Sequence, residues 1–129
     1  VNVLNCEVHD ISDYGLYLFT ATNCNIGRCN VYDNEGTGVY IFAFWGDTKD
    51  NIIADCNLYN NNYGIRTNDY NGFIYDNLIY HNNFADNTQN ANDKYANTWD
   101  NGYPSGGNYW DDYTGEDNDG DGIGDTPYH

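Results

Sequence analysis

Four segments within the first 83 residues repeat one pattern, and this repeat constrains the fold more than any other feature of the chain. Each segment reads as an apolar residue, two further residues, Cys or Asn, one more residue, an aliphatic residue, and then an aromatic residue or His. The segments are VLNCEVHDIS (3–12), IGRCNVYDNE (26–35), IADCNLYNNN (53–62) and IYDNLIYHNN (74–83). The Cys or Asn positions, which lie 23, 27 and 21 residues apart, are Cys6, Cys29, Cys56 and Asn77. A period of this length is typical of proteins built from stacked repeats.

A second short unit recurs between these positions. Its three copies are YGLYLF (14–19), TGVYIF (37–42) and YGIRTN (63–68). Short alternating segments separated by Asn, Asp and Gly are typical of strands joined by turns, whereas a sandwich needs longer, hairpin-linked strands. We therefore predict an all-β solenoid of about three to four coils, in which each coil buries its inner face against its neighbours.

The alternation assigns the aliphatic side chains to the inside, because successive strand residues point to opposite faces of a sheet. Parallel strands stack about 4.8 Å apart, so equivalent residues of successive coils lie over one another. The predicted inner stacks are Val8, Val31, Leu58 and Ile79; Leu16, Val39 and Ile65; and Ile26, Ile53 and Ile74.

The repeated Cys and Asn positions form a further inward column at a corner of the coil. An Asn there can hydrogen-bond to its neighbour in a ladder, and Cys can replace it as a small apolar residue. The cysteines are not dense and have no Cys-x-x-Cys spacing, which argues against a disulfide framework and against a zinc site. We expect buried free thiols at Cys6, Cys24, Cys29 and Cys56.

Aromatic residues recur on the outer faces. One predicted column contains His9, Tyr32, Tyr59 and Tyr80, and another contains Tyr17, Tyr40 and Arg66, with Phe19 and Phe42 beside it. Rings in register can simply shield the backbone, or they can form a strip that binds sugar rings or a neighbouring subunit. In either case Arg66 is expected to lie over the ring of Tyr40 in a cation–π contact.

The repeat ends after Phe84. We predict that residues 1–84 form the coils and that residues 85–129 form an irregular capping segment, as one structural unit with them. A cap is needed because an open coil exposes both its apolar stack and an unpaired strand edge. The aromatic residues available to cover that end are Trp99, Tyr103, Tyr109, Trp110 and Tyr113.

The stretch DNDGDGIGD (117–125) resembles a calcium-binding loop. Positions 1, 3, 5, 7 and 9 of such a loop are occupied by Asp117, Asp119, Asp121, Ile123 (through its carbonyl) and Asp125. Tyr128 stands where a bidentate Glu belongs, so the missing oxygen is expected from Asp111, Asp112 or Glu116. The alternatives are a single RTX-like nonapeptide and a solvated acidic loop without metal. We predict Ca²⁺, because four carboxylates in nine residues repel one another without a cation.

The net charge of the chain limits the classes of partner that it can bind. Twenty acidic residues face four basic ones, for a net charge of −16. This excess argues against nucleic acid and anionic membrane surfaces and leaves cations and neutral sugars. No apolar run approaches the roughly 20 residues needed to cross a bilayer, so no membrane insertion is expected.

The coils followed by NTWDNGYPSGGNYWDDYTGEDNDGDGIGDTPY (97–128) resemble the NosD type of right-handed parallel β-helix repeat proteins, many of them archaeal surface proteins. The specific part is the tail GGNYWDDYTGEDNDGDGIGDTPY. The resemblance implies a right-handed parallel β-helix that is extracellular, on a cell surface, or periplasmic. It also carries an association with copper delivery, which the absence of Met and the inward cysteines argue against.

These observations favour a calcium-stabilised structural or adhesive module of a cell-surface, filament-like or sheath-like assembly. Its expected partners are other copies of the chain, end to end or laterally, upstream coils of a longer solenoid, or glycans.

The alternative is a fragment of a polysaccharide lyase or hydrolase, or a carbohydrate-binding module. Lyases on this fold pair acidic ligands with a basic residue, and the basic candidates here are Arg66 on a strand and Arg28 at a corner. Asp111 and Asp112 are adjacent on a glycine-rich loop, where their side chains would diverge. No set of residues converges, so catalysis is not expected.

Overall fold

The computed structural model describes residues 1–128, which contain fifteen short strands and no helix. In chain order the strands are β1 (Asn2–Leu4), β2 (Glu7–His9), β3 (Tyr14–Phe19), β4 (Asn25–Gly27), β5 (Asn30–Tyr32), β6 (Thr37–Phe44), β7 (Thr48–Lys49), β8 (Ile52–Ala54), β9 (Asn57–Tyr59), β10 (Tyr63–Tyr70), β11 (Ile74–Tyr80), β12 (Asn83–Ala85), β13 (Gln89–Asn92), β14 (Ala96–Thr98) and β15 (Tyr109–Trp110).

The strands form three parallel sheets that make up a β-solenoid of about four turns. The first sheet has the order β1-β4-β8-β11-β14, with β7 also paired to β11; the second is β2-β5-β9-β12-β15; and the third is β3-β6-β10-β13. Val31 pairs with Val8 on one side and Leu58 on the other. The predicted all-β parallel solenoid is thus confirmed.

Three apolar stacks fill the interior, one behind each sheet. They are Val3, Ile26, Ile53 and Ile79; Val8, Val31, Leu58, Phe84 and Trp110; and Leu16, Val39, Ile65 and Ala91. The predicted Leu16 stack is confirmed. Ile79, predicted beneath Leu58, instead lies beneath Ile53, and Ile74 pairs with Thr48 rather than with Ile53.

Each of three corners of the coil is built from a residue in the left-handed backbone region followed by an inward side chain, which is Asn, Cys or Ile. Asn and Asp tolerate that region better than other residues with a side chain, which explains why they dominate the bends. The bend residues that precede the corner side chains are Asn5, Arg28, Asp55 and His81; Asp10, Asp33, Asn60 and Asp86; and Asn23, Asp50 and Asp76.

The corner side chains form three vertical columns. The columns are Cys6, Cys29, Cys56, Asn82 and Asn108; Cys24, Asn51, Asn77 and Asn97; and Ile11, Asn34, Asn61 and Asn87. Each Asn amide bonds to the preceding coil. The Oδ1 atom of Asn82 accepts from the Cys56 backbone N–H at 3.0 Å, and its Nδ2 donates to the Ile53 carbonyl at 2.9 Å. No buried side-chain nitrogen or oxygen among residues 1–128 lacks a partner.

Asn77 was predicted to continue the column of Cys6, Cys29 and Cys56, and this is wrong. Asn82 takes that position, while Asn77 follows Asn51 at a different corner. The error arose because IYDN and IYHN both match the repeat, since both corners use a bend residue followed by Asn.

A glycine beside one corner explains the repeated second residue of YGLYLF, TGVYIF and YGIRTN. A Cβ on Gly38 would lie 2.8 Å from the Gly64 carbonyl oxygen and 3.0 Å from Asn61 Nδ2. Any side chain there would therefore push apart two coils and disturb the amide ladder.

The cysteines are free, as predicted. Cys29 and Cys56 are buried, and each thiol donates to a carbonyl: Cys29 to Gly27 and Cys56 to Ala54, both at 3.3 Å. Cys6 and Cys24 are only partly buried.

Strand pairing continues beyond the predicted end of the coils. β13, β14 and β15 each add a strand to one sheet, and the boundary at residues 84 and 85 falls within β12. The division into coils and cap stays a prediction, but the last paired strand ends at Trp110.

Stacked aromatic rings close the C-terminal end. Trp110 lies parallel to Phe84, with ring centroids 4.5 Å apart, and Tyr128 lies on Trp110 at 4.0 Å. Trp99 contacts both Phe84 and Trp110. Phe84 is fully buried as a result.

The predicted outer column of His9, Tyr32 and Tyr59 is in register, with centroids 4.9 and 4.8 Å apart. Its next member is Ala85 rather than the predicted Tyr80, which lies on the first sheet beside Ala54.

Replacing Asn82 with Ala is expected to lower the free energy of unfolding by about 2–4 kcal/mol, because the Cys56 amide and the Ile53 carbonyl lose their buried partner. Asn83→Ala is the matched control. That side chain is exposed, has one 3.4 Å contact with Asn57, and should contribute less than about 0.5 kcal/mol. Urea unfolding measures both, and equal losses would contradict the role of the ladder.

Candidate functional site

The outer side of the third sheet is covered by aromatic side chains. Alternation along β3 and β6 sends every second residue outward, and parallel stacking places rings of successive coils beside one another. We call this surface the aromatic face; its members are Tyr14, Tyr17, Phe19, Tyr40, Phe42, Phe44, Trp45 and Tyr70.

The rings pack on one another across the sheet. Ring centroids are 5.3 Å apart for Tyr17 and Tyr40, and 5.9 Å apart for Phe19 and Phe42. Tyr14 stacks on Tyr40 at 4.4 Å, and Tyr40 is buried as a result. Burial raises the pKa of Tyr17, with a further contribution from Tyr40. Part of the face therefore shields the sheet.

The other end of the face is open to solvent. Trp45 is 68% exposed and Tyr70 is 55% exposed. The indole plane of Trp45 lies at 83° to the ring of Phe44 and at 75° to that of Tyr70. With so little of its surface covered, Trp45 leaves an indole face available for stacking with a ligand.

The aromatic face lacks carboxylates where its rings are densest. β3 (YGLYLF) and β6 (TGVYIFAF) contain none of the twenty acidic residues of the chain. The neighbouring strand β10 contributes Arg66 and Asp69. An uncharged strip on a strongly acidic protein favours an uncharged ligand over a cationic or anionic one.

The predicted contact residues lie on this face in the predicted register: Tyr17 pairs with Tyr40, Tyr40 with Arg66, and Phe19 with Phe42. The cation–π prediction is wrong, because the Arg66 guanidinium lies 5.0 Å from the ring centroid of Tyr63 on its own strand, not over Tyr40.

Sequence reasoning missed the exposed end of the face, formed by Phe44, Trp45 and Tyr70, and also Tyr14. The strands were taken to end at residues 42 and 68, whereas β6 extends to Phe44 and β10 to Tyr70, which pair with each other. Continuing the alternation from Phe42 to Phe44 was the signal that could have found them.

Three carboxylates come together in the acidic loop. One oxygen from each of Asp117, Asp119 and Asp121 lies within 4.8 Å of the other two. Asp117 also accepts from the backbone N–H groups of Gly120 and Gly122, at 2.8 and 2.9 Å, and both glycines have positive φ. The loop is thus folded around its own carboxylates by backbone hydrogen bonds.

The remaining predicted ligands lie elsewhere. Asp125 accepts from the backbone and side chain of Asn118, and these hydrogen bonds lower its pKa. Asp111 and Asp112 both accept from Asn90 Nδ2 at 2.9 Å. That bond lowers the pKa of Asp111, with help from the Asp86 N–H. These two side chains converge on Asn90 rather than diverging as expected.

Ile123 and Glu116 also take part in the folding of this segment. Ile123 packs near Gly106, and the Glu116 carbonyl accepts from the Asp125 N–H at 2.8 Å. The metal-ligand roles assigned to the loop residues stay predictions.

Comparison with models of protein families shows which family this solenoid belongs to. Residues 2–115 match the NosD family, which is described as a periplasmic copper-binding protein. The chain belongs to the NosD family. No curated protein and no solved structure matches it. None of residues 1–128 forms a helix long and apolar enough to cross a membrane. The NosD match confirms the predicted extracellular or periplasmic localisation, and the molecule is an extracellular or periplasmic β-helix module.

The prediction of Ca²⁺ as cofactor is wrong, because the metal that the NosD description names is copper. The NosD match also ends at residue 115, before the acidic loop that suggested calcium.

The donors of this NosD chain do not match a copper centre. Copper prefers imidazole, thiolate and thioether ligands. The chain has no Met, and its buried thiols donate to backbone carbonyls. Among residues 1–128, one group of three His, Cys, Asp or Glu residues has ligand atoms within 4.8 Å of one another. It consists of the carboxylates of Asp117, Asp119 and Asp121.

Burial raises the pKa of the Cys56 thiol from 9.0 to about 11. The Cys56 thiol therefore ionises at lower pH in the unfolded state than in the folded state. Its contribution to the free energy of unfolding is fully present below pH 9 and is lost as the pH rises towards 11. We expect the melting temperature to fall more steeply across this range in the native chain than in Cys56→Ala, measured by circular dichroism. Parallel curves would contradict the buried thiol, since tyrosine ionisation is common to both.

Proposed function

We propose that this β-helix is an adhesive module that binds neutral polysaccharide through its aromatic face. The observation that carries the proposal is the cluster of Phe44, Trp45 and Tyr70, large exposed rings that lie side by side at the C-terminal ends of the paired strands β6 and β10. Soluble proteins rarely leave such a contiguous apolar surface without a use.

Three properties of the face support a sugar ligand. An aromatic ring offers an apolar surface for the C–H face of a pyranose, while the hydroxyls of Tyr17 and Tyr70 can hydrogen-bond to sugar hydroxyls. The rings are fixed by strand pairing and mutual stacking, so little conformational entropy is lost on binding. The face also runs across successive coils about 4.8 Å apart, which suits a repeating polymer.

The charge supports a neutral polymer over an acidic one. At −16, the chain repels anionic polysaccharides at low ionic strength, whereas uncharged glycans meet no such barrier. Phe19, Phe42 and Tyr17 extend the surface away from Trp45, and Arg66 borders it.

Trp45→Ala is expected to weaken binding by about tenfold or more, because the most exposed ring of the contact is removed. Two measurements test this. The first is depletion of the protein from solution by insoluble cellulose and chitin, and the second is its retardation in affinity electrophoresis through gels that contain the soluble glucan laminarin. Polygalacturonate is the anionic comparison. Binding to at least one neutral polymer, and none to polygalacturonate in low salt, is expected.

Tyr103→Ala is the matched control, because Tyr103 is 80% exposed but lies in the C-terminal segment away from the aromatic face. It should bind like the native chain. Loss of binding in both variants, or failure of the native chain to bind any of the neutral polymers, would contradict the proposal.

A further inference from the structure

The aromatic face is several rings wide in both directions. β6 lies between β3 and β10 in the third sheet, and its outward residues Tyr40, Phe42 and Phe44 form a row with ring centroids 5.7 and 6.2 Å apart. Phe19 flanks this row on β3, and Tyr70 flanks it on β10. From standard strand dimensions, the rings cover about 13 Å along β6 and about 10 Å across the three strands.

Strand pairing holds these rings in place. β6 pairs with β3 and with β10 in one continuous register, without a bulge that would bend the sheet. Along the series Tyr40, Phe42, Phe44 and Tyr70, successive ring planes are inclined by only 15°, 21° and 24°. The face is therefore a fixed, regular platform, which loses little conformational entropy when it meets a rigid surface.

The middle of the platform has no side-chain group that could hydrogen-bond to a sugar. Phe19, Phe42 and Phe44 occupy it, between the hydroxyl of Tyr17 at one end and that of Tyr70 at the other. A dissolved sugar chain is hydrated on all sides. Placing it over the phenyl rings would strip water from its hydroxyls without replacing the lost hydrogen bonds, which is costly. A single soluble chain is therefore poorly matched to this surface.

The surface of a crystalline polysaccharide does not have this cost. In cellulose and chitin, chains lie side by side, and their equatorial hydroxyl or amide groups already hydrogen-bond to neighbouring chains. The flat surface of such a layer presents C–H groups, which gain from apolar contact and need no hydrogen-bond partner. A platform that is three strands wide can contact more than one of these chains at once.

The backbone of Trp45 gives a second indication that the exposed rings serve binding. Trp45 forms the bend after β6 with a φ of 53°, and the equivalent residue of the next coil is Asn71, with a φ of 52°. Asn tolerates this left-handed region, whereas a bulky residue is unusual there. Because 68% of Trp45 is exposed, packing within the chain does not explain its presence. The indole thus stands where the fold by itself favours Asn.

We propose that the aromatic face binds the flat surface of a crystalline, uncharged polysaccharide of the cellulose or chitin class, and not single dissolved chains. This inference rests on the proposed function, which it narrows from neutral polysaccharides in general to insoluble, ordered ones. The charge of the platform agrees with it, because β3 and β6 contain no acidic or basic residue.

The test compares adsorption isotherms of the 129-residue chain on microcrystalline cellulose and crystalline chitin with those on the amorphous form of each polymer. For at least one polymer, the dissociation constant should be at least about tenfold lower for the crystalline form, because its chains are already ordered before binding. An excess of soluble cellohexaose or chitohexaose should not displace the adsorbed protein.

Phe44→Ala should weaken adsorption to the crystalline polymer by about tenfold, because it removes a ring from the middle of the platform. Tyr109→Ala is the matched control: Tyr109 is 63% exposed, but it lies on β15 of the second sheet. This variant should adsorb like the native chain, and circular dichroism checks that both variants fold.

Trp45→Asn separates binding from stability. It should raise the melting temperature by a few degrees, because Asn suits the left-handed backbone better than Trp. Adsorption should nevertheless fall by about tenfold, because the most exposed ring of the face is lost. Adsorption equal to that of the native chain would contradict the role of Trp45 in binding.

Equal affinity for the crystalline and amorphous forms, displacement by the soluble hexasaccharides, or equal weakening by Phe44→Ala and Tyr109→Ala would overturn the inference. Binding to laminarin or to dissolved oligosaccharides alone would leave the proposed function standing while this inference fails. Failure to bind any neutral polymer, in any form, would contradict both.

Discussion

The fold depends on one interaction at its corners, the upward bond of an inward side chain to the backbone of the preceding coil. At a bend the strand ladder is interrupted, and N–H and C=O groups turn towards the interior, where an unpaired polar group is costly. The amides of Asn82 and Asn61 each bond to an N–H and a carbonyl of the coil before. Without these side chains the solenoid could not turn three times in each coil and still bury its corners.

The same corners account for much of the composition. The bend residue before each inward amide adopts a left-handed conformation, and Asn and Asp occupy most of these positions, including Asp55, Asp33 and Asp76. Part of the acidity of the chain is therefore a consequence of its geometry and not a sign of a cationic ligand.

Stacking of the coils in register also determines which side chains lie together on the outer surfaces. Because successive coils pair with little shift in register, outward aromatic rings lie beside one another and form the aromatic face. Many of the charged residues lie at the bends instead. A stack must also end. At the C-terminal end of the described residues, Trp110 and Tyr128 cover the buried ring of Phe84. The aromatic face is thus a product of the same repeat that builds the core.

The sequence by itself determined the repeat, the parallel solenoid, the free inward cysteines and the register of Tyr17 with Tyr40, because these follow from local alternation and from a period longer than any turn. Only the tertiary structure decided which of two identical corner patterns continues a column, placing Asn82 instead of Asn77 beneath Cys56. The tertiary structure also places the Arg66 guanidinium over Tyr63, shows that the aromatic face includes Trp45 and Tyr70, and shows that strand pairing continues beyond Phe84. Those outcomes depend on the lengths of loops and on contacts between coils, and a side chain's long-range partner is not encoded in its neighbours along the chain.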